Sequence, residues 1–417
     1  MSIVYWIMVV CTIFVSGVML WRLLQILFLF ARRTKTSAKA RIVPDERLLK
    51  VTIIVPAYNE AKVIRKTLGT LQEIEYPDDK LEILIINPKS TDNTSQIANE
   101  IAQRSKRNIK VIDATNGFDV HGKPRALNYA LKYAGGEVVI IYDADSLVDK
   151  MAVKFLISAM VEDPSLAMTF GTRKVLNPHG FFARLAYLES LSQQLLTETA
   201  PPKDGQNFLF SPGTNVAIRK SVIEKLGGWD DNALTEDFEL SVRLHSHGYK
   251  IEYVPSAVSH EEVPEKASVW LTQRTRWARG GWQVFLKMSM QMKDSLKAKK
   301  VKFINIIVFY KLLEFYSPLF GLILEDALFI LGIIEILFFG GMGIGFSLWL
   351  LFYIVLFLQL LACLAYNREI SVKNIMASFV LYFYYQLWLV IAAKVICLEL
   401  ARSENKWEKT KRFTSVE

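Results

Sequence analysis

The first half of the chain alternates between short apolar runs and amphipathic stretches. Runs rich in apolar and β-branched residues predict four strands, over 51–56, 81–86, 109–112 and 137–142. Between these runs, apolar residues recur at helical spacing and predict helices over 60–73, 91–105 and 124–133. Strands and helices that alternate in this way predict a mostly parallel sheet with right-handed crossovers.

Long apolar segments occupy both ends of the chain. Residues 3–30 and three C-terminal runs, 316–339, 345–366 and 376–400, each reach the roughly 20 residues that cross a bilayer. A cleaved signal peptide is disfavoured, because no basic segment precedes the first run and no small-residue cleavage site follows it. Residues 303–315 contain Lys311 and Glu314, which indicates an amphipathic helix at the membrane interface.

The charge pattern orients these spans. The net charge of +9 is concentrated beside the apolar segments, at 32–41, 293–302 and 406–412, so nucleic-acid binding is not needed to explain it. The positive-inside bias then places the polar middle region in the cytoplasm. Three C-terminal spans would carry the basic tail outside and two or four would keep it inside, so the number of spans stays open. The cysteines, Cys11, Cys363 and Cys397, lie in apolar segments and form no disulfide framework.

We therefore expect a multi-pass protein of the plasma membrane with a cytoplasmic catalytic domain. The predicted divisions are an N-terminal transmembrane helix with its basic flank (1–45), the catalytic domain (46–300), and an interface helix with the C-terminal transmembrane helices (301–417).

The strongest chemical candidate is the pair Asp143 and Asp145, which directly follows the fourth predicted strand. Ligands of open α/β sheets bind at the carboxyl ends of the strands. A divalent cation bound to phosphate oxygens needs carboxylate ligands of this kind. Two acids spaced by one residue also occur in solvated turns, so the pair gains weight only from its context.

Four further stretches supply that context. They are 55–60 at the end of the first strand, 121–128 with two cations at a helix start, the adjacent acids of 235–237, and Gln-Arg-Thr-Arg-Trp at 273–277. A helix start with Lys123 and Arg125 suits a diphosphate, because free backbone N–H groups and cations both attract phosphate.

In this ordered combination the chain resembles the processive membrane glycosyltransferases of family 2, which include cellulose, hyaluronan and poly-N-acetylglucosamine synthases. The resemblance covers about 51–287, and its most specific part is Gln-x-x-Arg-Trp following Thr-Glu-Asp. The run at 273–281 is most similar to the poly-N-acetylglucosamine synthases. The resemblance implies an α/β GT-A-type, Rossmann-like cytosolic domain with α-helical transmembrane segments at both ends.

The resemblance also implies a role for each candidate residue. Asp145 and Asp143 would hold Mg²⁺ or Mn²⁺ against the diphosphate of a nucleotide sugar. Asp237, with Glu236 beside it, would be the catalytic base for direct displacement with inversion. The implied donor contacts are Pro56, Tyr58, Glu60, Asn87, Lys123, Asp143 and Arg276. The implied acceptor contacts are Thr235, Gln273 and Trp277.

Several of these residues have simpler interpretations. Asp237 could belong to a capped helix start, Trp277 and Trp282 could anchor a membrane interface, and Lys123 could lie on a solvated face. One position departs from the family pattern. Two acids usually precede the Ser-Thr-Asp stretch, where this chain has Asn87 and Pro88. The missing acid contacts the nucleotide base in the family, so the base selectivity stays open, although the Asn87 amide can also hydrogen-bond a base edge.

The sequence thus predicts an enzyme that polymerises a β-linked polysaccharide from a UDP-sugar, such as UDP-GlcNAc or UDP-glucose, and passes it through its own spans. Its partners would be the nucleotide sugar, the growing glycan and the lipid bilayer, without nucleic acid. Transfer of a single sugar to a lipid or polyprenyl phosphate, or an inactive membrane partner, are the alternatives. Glu325, Asp326 and Glu335 would either line a channel for the polymer or lie near the membrane surfaces.

Overall fold

The computed structural model describes residues 42–113, 122–198, 208–340 and 344–404, with single positions between 10 and 28. The chain forms two compact units. The sheet unit comprises 38–177, 201–308 and 404–417, and the helical unit comprises 1–37, 178–200 and 309–403. The predicted N-terminal span and the basic cluster after it fall almost entirely outside the described residues.

The sheet unit is built on one sheet of eight strands. The strands are β1 (Val51–Pro56), β2 (Leu81–Asn87), β3 (Asn108–Asp113), β4 (Val138–Ile141), β5 (Leu147–Val148), β6 (Leu166–Val175), β7 (Val216–Arg219) and β8 (Lys250–Glu261). Their spatial order is β3-β2-β1-β4-β7-β6-β8-β5. The four strands predicted from the sequence are confirmed as β1 to β4.

The predicted parallel arrangement holds for the first half of the sheet. β1 pairs in parallel with β2 on one side and β4 on the other, and β2 pairs in parallel with β3. The chain therefore moves outward from β1 to β3 and returns to the other side of β1, which creates a topological switch point between β1 and β4. Beyond β4 the sheet is mixed, because β7 is antiparallel to both β4 and β6. Residues 151–292 looked irregular in the sequence but contribute three of these strands.

Helices cover the sheet and connect its strands. In the sheet unit they are α1 (Ile64–Gln72), α2 (Thr94–Arg104), α3 (Lys123–Leu131), α4 (Ala152–Glu162), α6 (Lys220–Lys225), α7 (Glu236–Ser246) and α8 (Ala267–Lys297), with α5 (Phe181–Glu198) in the helical unit. Apolar residues of β1, β2 and β4 are almost fully buried on α1 and α4, for example Ile53, Ile83 and Ile140. Burial of both faces explains why the central strands read as continuous apolar runs.

Asn215, immediately before β7, joins three strands. Its Oδ1 accepts a hydrogen bond from the Tyr142 hydroxyl (3.1 Å), and its Nδ2 donates to the carbonyls of Thr172 (3.2 Å) and Ala257 (2.9 Å). The side chain is fully buried, and the backbone has the left-handed φ of 56° that asparagine tolerates better than most residues. Asn215 therefore holds the end of β4 against β6 and β8.

The helical unit contains the long apolar helices. They are α9 (Phe303–Phe339), of which residues 303–308 belong to the sheet unit, α10 (Ile344–Asn367) and α11 (Val372–Leu400). Residues 303–315, expected to form an interface helix, and residues 316–339, expected to form a span, lie in one continuous helix, because polar side chains alone do not interrupt helical hydrogen bonding. Among the described residues, Gly345–Asn367 and Val372–Leu400 are long and apolar enough to cross a membrane, with mean hydropathy of 2.5 and 1.7.

Hydrogen bonds between polar side chains link the helices of this unit. Asp326 on α9 accepts hydrogen bonds from the Tyr382 hydroxyl (3.1 Å) and Gln386 Nε2 (3.0 Å) of α11. Tyr382 in turn accepts one from Trp349 Nε1 of α10 (3.0 Å). The neighbouring Glu325 is fully buried, and neither of its carboxylate oxygens has a hydrogen-bond partner among the described residues.

We expect Asn215→Ala to destabilise the sheet unit by about 2–4 kcal/mol, because it leaves the Tyr142 hydroxyl and two carbonyls without partners in the interior. Thermal unfolding of the full-length protein in detergent, followed by tryptophan fluorescence, measures the effect as a lowered midpoint. Asn232→Ala, at an exposed position, is the matched control and should unfold like the wild type. Equal midpoints for the two variants would contradict the assigned role of Asn215.

Candidate active site

A buried lysine lies at the centre of the candidate site. Lys123 begins α3, directly after Gly122, whose positive φ of 102° suits glycine. The Lys123 ammonium donates hydrogen bonds to Asp143 Oδ1 (2.6 Å) and to the carbonyl of Gly213 (2.6 Å), and it lies 3.5 Å from Glu236 Oε1. Three segments that are distant in the sequence therefore meet at one cation. A solvated position for Lys123 does not agree with this burial.

The turn after β4 holds the two predicted metal-site acids. The backbone N–H of Asp143 donates to Thr214 Oγ1 (3.0 Å), which also hydrogen-bonds the Ser146 hydroxyl (2.9 Å). The carbonyl of Ala144 accepts from the Thr67 hydroxyl (2.7 Å). Asp145 lies inside this fixed turn, with only 9% of its surface exposed. The turn thus keeps both carboxylates at the carboxyl edge of the sheet, beside the switch point.

Glu236 and Asp237 occupy the first turn of α7, where the helix dipole favours negative charge. A methyl group added at Gly213 would lie 3.0 Å from Lys123 Nζ and 3.1 Å from Asp237 Oδ2, so the lysine and this carboxylate flank the same glycine. Asp237 and Glu236 also line a small cleft together with Ser211, Gly213, Trp229 and Leu240. The structure therefore brings Lys123, Asp143, Glu236 and Asp237 together.

The charges in this cluster depend on one another. Burial raises the pKa of the Glu236 carboxyl above its usual value, whereas the Lys123 ammonium acts to lower it. Burial would lower the pKa of Lys123, but Asp143 and Glu236 raise it more strongly, so the ammonium stays protonated. The protonated Lys123 ammonium can also bind the phosphates of an incoming ligand, provided that its carboxylate partners share it with those phosphates.

The predicted donor residues at the ends of β1 and β2 form the neighbouring part of the edge. Pro56 ends β1 and Tyr58 follows it with 38% of its surface exposed. Glu60 is buried, and its backbone N–H donates to Thr94 Oγ1 (2.8 Å). Asn87, at the end of β2, is buried as well. These hydrogen bonds join the loop after β1 to the loop after β2 as one rigid surface.

The Gln-Arg-Thr-Arg-Trp motif lies within the long helix α8, and this helix contacts the residues just before α7 at two points. Arg276 Nη1 donates to the carbonyl of Leu234 (3.0 Å). Gly280 packs so closely on Thr235 that an added methyl group would lie 2.5 Å from its Oγ1. The motif residue Arg276 thus supports the segment that carries Glu236 and Asp237.

The predicted acceptor residues Gln273 and Trp277 have a partner in their own helix. The Arg274 guanidinium lies 4.0 Å from the centre of the Trp277 ring, and Arg274 Nη1 donates to Gln273 Oε1 (2.8 Å). One face of the Trp277 ring is therefore covered by a cation. A sugar acceptor could stack only on the other face.

The acidic pair fits a divalent cation that is shared with a substrate. Among the residues the structure describes, no three histidine, cysteine or acidic side chains form a metal-binding group. Mg²⁺ is commonly held by one or two carboxylates, with substrate phosphates and water completing its octahedron. Asp143 and Asp145 are hard oxygen ligands on a fixed turn, so they suit this arrangement.

The sequence did not reveal the contributions of residues 211–215. The Gly213 carbonyl, the Thr214 hydroxyl and the Asn215 amide all hold parts of the site, yet none belongs to an acidic or basic motif. The available signal was the Pro-Gly pair at 212–213 before an apolar run, which marks a turn entering a strand. A turn signal does not say which carbonyl faces a cation.

Comparison with known proteins identifies the family of the chain. The model of a family described as "Glycosyltransferase like family 2" matches residues 49–280. The probable glycosyltransferase YdaM of Bacillus subtilis (strain 168) is 35% identical over 375 residues, which cover 88% of each chain. The poly-β-1,6-N-acetyl-D-glucosamine synthase of Staphylococcus aureus (strain COL) is 31% identical over 270 residues, 64% of this chain and 63% of that protein. This chain therefore matches less than two thirds of the synthase.

A solved structure shares the fold. The mannosyltransferase PcManGT from Pyrobaculum calidifontis, in complex with GDP-Man and Mn²⁺, matches with a TM-score of 0.58 and 21% identity, over 95% of this chain and 100% of that one. The mixed sheet is accordingly a GT-A-like fold, as expected from the sequence. Since the family model covers more than half of the chain and YdaM is similar along most of its length, the chain belongs to glycosyltransferase family 2.

Proposed function

We propose that this family 2 glycosyltransferase is embedded in the membrane, uses a nucleotide-sugar donor with Mg²⁺ or Mn²⁺, and extends a β-linked polysaccharide with inversion at the anomeric carbon. The observation that carries the proposal is the group of charges around Lys123, with Asp143 on one side and Glu236 and Asp237 on the other. A cation beside a carboxylate that lines a cleft is what glycosyl transfer requires: charge for the leaving diphosphate and a base for the acceptor.

The residues divide the reaction between them. Lys123 and Arg276 stabilise the negative charge that develops on the leaving diphosphate. Asp237, on the cleft wall, accepts the proton of the acceptor hydroxyl as its oxygen attacks the anomeric carbon from the face opposite the diphosphate. A divalent cation held by Asp143 and Asp145 would add positive charge to the diphosphate. Glu236 pairs with Lys123 and keeps its ammonium directed toward the phosphates.

Two observations support a polymer product made at a membrane. The chain is 31% identical to poly-β-1,6-N-acetyl-D-glucosamine synthase over 270 residues. Two C-terminal helices have the length and hydropathy of membrane spans, and a third, α9, carries the buried Glu325 and the half-buried Asp326. Ionisable groups at such depth commonly serve a polar pathway. An exported glycan would use such a pathway.

Incubation of the purified full-length protein with a panel of nucleotide sugars tests this function. With Mg²⁺ or Mn²⁺ we expect release of the nucleoside diphosphate and a ladder of long products on a sizing gel, with both lost in EDTA. A single added sugar on a lipid acceptor would instead establish non-processive transfer. Absence of nucleotide release with every donor would favour an inactive membrane partner and contradict the proposal.

Asp237→Asn should lower the turnover number at least about 100-fold, because the amide cannot take the acceptor's proton. Donor binding should change little, since Lys123, Asp143 and Asp145 remain. Nucleotide release measures turnover, and titration with the donor measures binding. Asp294→Asn, at an exposed position on α8, is the matched control and should keep full turnover. Turnover that survives in Asp237→Asn would assign the base elsewhere.

Lys123→Met should destabilise the protein by about 3 kcal/mol at neutral pH, because it leaves buried acids without their cation. Burial already raises the pKa of Glu236 above its unfolded value, and loss of Lys123 raises it further. A carboxyl whose pKa is raised in the folded state binds its proton more tightly there, so stability falls as pH rises above the unfolded value of about 4. The deficit of the variant should therefore be smallest at acidic pH and grow toward neutrality.

Thermal unfolding of Lys123→Met between pH 4 and pH 8 checks this dependence. Lys106→Met removes an exposed lysine and should track the wild type at every pH. A deficit for Lys123→Met that does not change with pH would mean that the lysine stabilises the protein by packing alone.

A further inference from the structure

Asn87 and Asp113 form a hydrogen-bonded pair at the carboxyl edge of the sheet. They are the last residues of β2 and β3 and lie directly opposite each other in the parallel register. Asn87 Nδ2 donates to Asp113 Oδ1 over 2.6 Å. This edge therefore does carry a carboxylate, but it belongs to Asp113 at the end of β3. At the end of β2, where the family has an acid, this chain has the amide of Asn87.

The orientation of the Asn87 amide follows from its partners. The backbone N–H of Ser90 can only donate, and it lies 3.1 Å from Oδ1, so this atom is the amide oxygen. The other end then carries the nitrogen, which faces a carboxylate that can only accept. Asn87 is also 4% exposed. Its amide is thus occupied within the protein, and we assign it the task of positioning Asp113.

Asp113, in contrast, is exposed. Its Oδ1 accepts a second hydrogen bond, from the Ser95 hydroxyl (2.9 Å). Two donors on one oxygen fix the plane of the carboxylate. Within the part of the chain that the structure describes, the second oxygen has no recorded partner. It remains able to accept a hydrogen bond from a ligand.

The sheet order relates this carboxylate to the phosphate end of the site. Asp143 follows β4, and β1 and β2 separate β4 from β3. With neighbouring strands 4.7–4.9 Å apart, Asp113 lies about 14 Å along the edge from Asp143. On the other side of β4 the cleft with Gly213 and Asp237 is left for the transferred sugar and acceptor. A nucleoside diphosphate with its phosphates at Lys123 therefore extends over β1 and β2 toward β3.

We propose that Asp113 selects the base of the donor by accepting a hydrogen bond from a ring N–H, and that Asn87 positions it. The inference rests on the proposed function. Uracil at N3 and guanine at N1 carry such a hydrogen next to a carbonyl group. Cytosine and adenine have a lone pair at the corresponding ring nitrogen, which a carboxylate repels. The site should therefore take a uridine or guanosine diphosphate sugar and reject cytidine and adenosine donors.

Calorimetric titration of the full-length protein with UDP, GDP, CDP and ADP, each with Mg²⁺, tests the proposal. The wild type should bind UDP or GDP at least about tenfold more tightly than CDP and ADP, as expected for a charge-assisted hydrogen bond. Asp113→Asn should remove or reverse this preference, because Asn87 Nδ2 and the Ser95 hydroxyl hold the oxygen of the new amide and leave its NH₂, a donor, for the base. The comparison of UDP with GDP identifies which base is used.

Two further variants separate base selection from folding. The double variant Asn87→Asp with Asp113→Asn keeps one amide, one carboxylate and their hydrogen bond, but moves the charge to the buried position on β2. Position 87 is where the family carries its base-contacting acid, so this variant should recover the discrimination that Asp113→Asn loses, which would show that the single variant is folded. Asp79→Asn removes an exposed acid elsewhere and should bind like the wild type.

The possible failures are distinguishable. A wild type that binds none of the four nucleotides would overturn the proposed function and this inference with it. A wild type that prefers UDP or GDP, with the same preference kept in Asp113→Asn, would overturn only the role of Asp113. Equal affinity of the wild type for UDP, GDP, CDP and ADP would do the same.

Discussion

The candidate site depends on the solvation of one ammonium group. Lys123 is largely removed from water, so its charge must be balanced by the protein, and Asp143, Glu236 and the Gly213 carbonyl provide that balance. Each partner comes from a different segment, and none could withdraw without leaving a buried charge. The need to satisfy this cation therefore explains why the end of β4, the turn before β7 and the start of α7 lie together.

The fold provides the place for this cluster. Because the strand order reverses beside β1, the helices on either side of the switch point diverge and leave the carboxyl ends of β1 and β4 accessible. The antiparallel β7 then closes the other side, with the loop 211–215 entering the sheet at the same edge. Asn215 fixes that loop to three strands, so the carbonyl that faces Lys123 has little freedom. A binding site with a rigid floor is already organised before a donor arrives.

Local patterns predicted the first half of the sheet well and the second half poorly. The strands β1 to β4 are apolar runs separated by helices, and each pairs with a neighbour from the same region. Strand β8, by contrast, contains Pro255 and several polar residues, and it is defined by its pairing with β6 about 80 residues away in the chain. Such a strand owes its conformation to a distant partner, which periodicity does not record.

The same distinction applies to the site. Charged motifs identified Lys123, Asp143, Glu236 and Asp237 as candidates, because a charged side chain can be read directly from the sequence. The Gly213 carbonyl could not be identified in this way, since every residue has one. Residues 303–315 and 316–339 form the single helix α9, and the charged side chain of Lys311 extends from it without interrupting it.

The contact between Gly280 and Thr235 ties two motifs together. A methyl group added at Gly280 would lie 2.5 Å from Thr235 Oγ1, which leaves no room for it. The helix α8 therefore packs directly on the residue that precedes Glu236. A larger side chain at either position must push the two helices apart and move both acids relative to the cation. A larger side chain at residue 280 would then require a smaller side chain at residue 235. These two positions should therefore evolve as a pair, although they lie 45 positions apart in the chain.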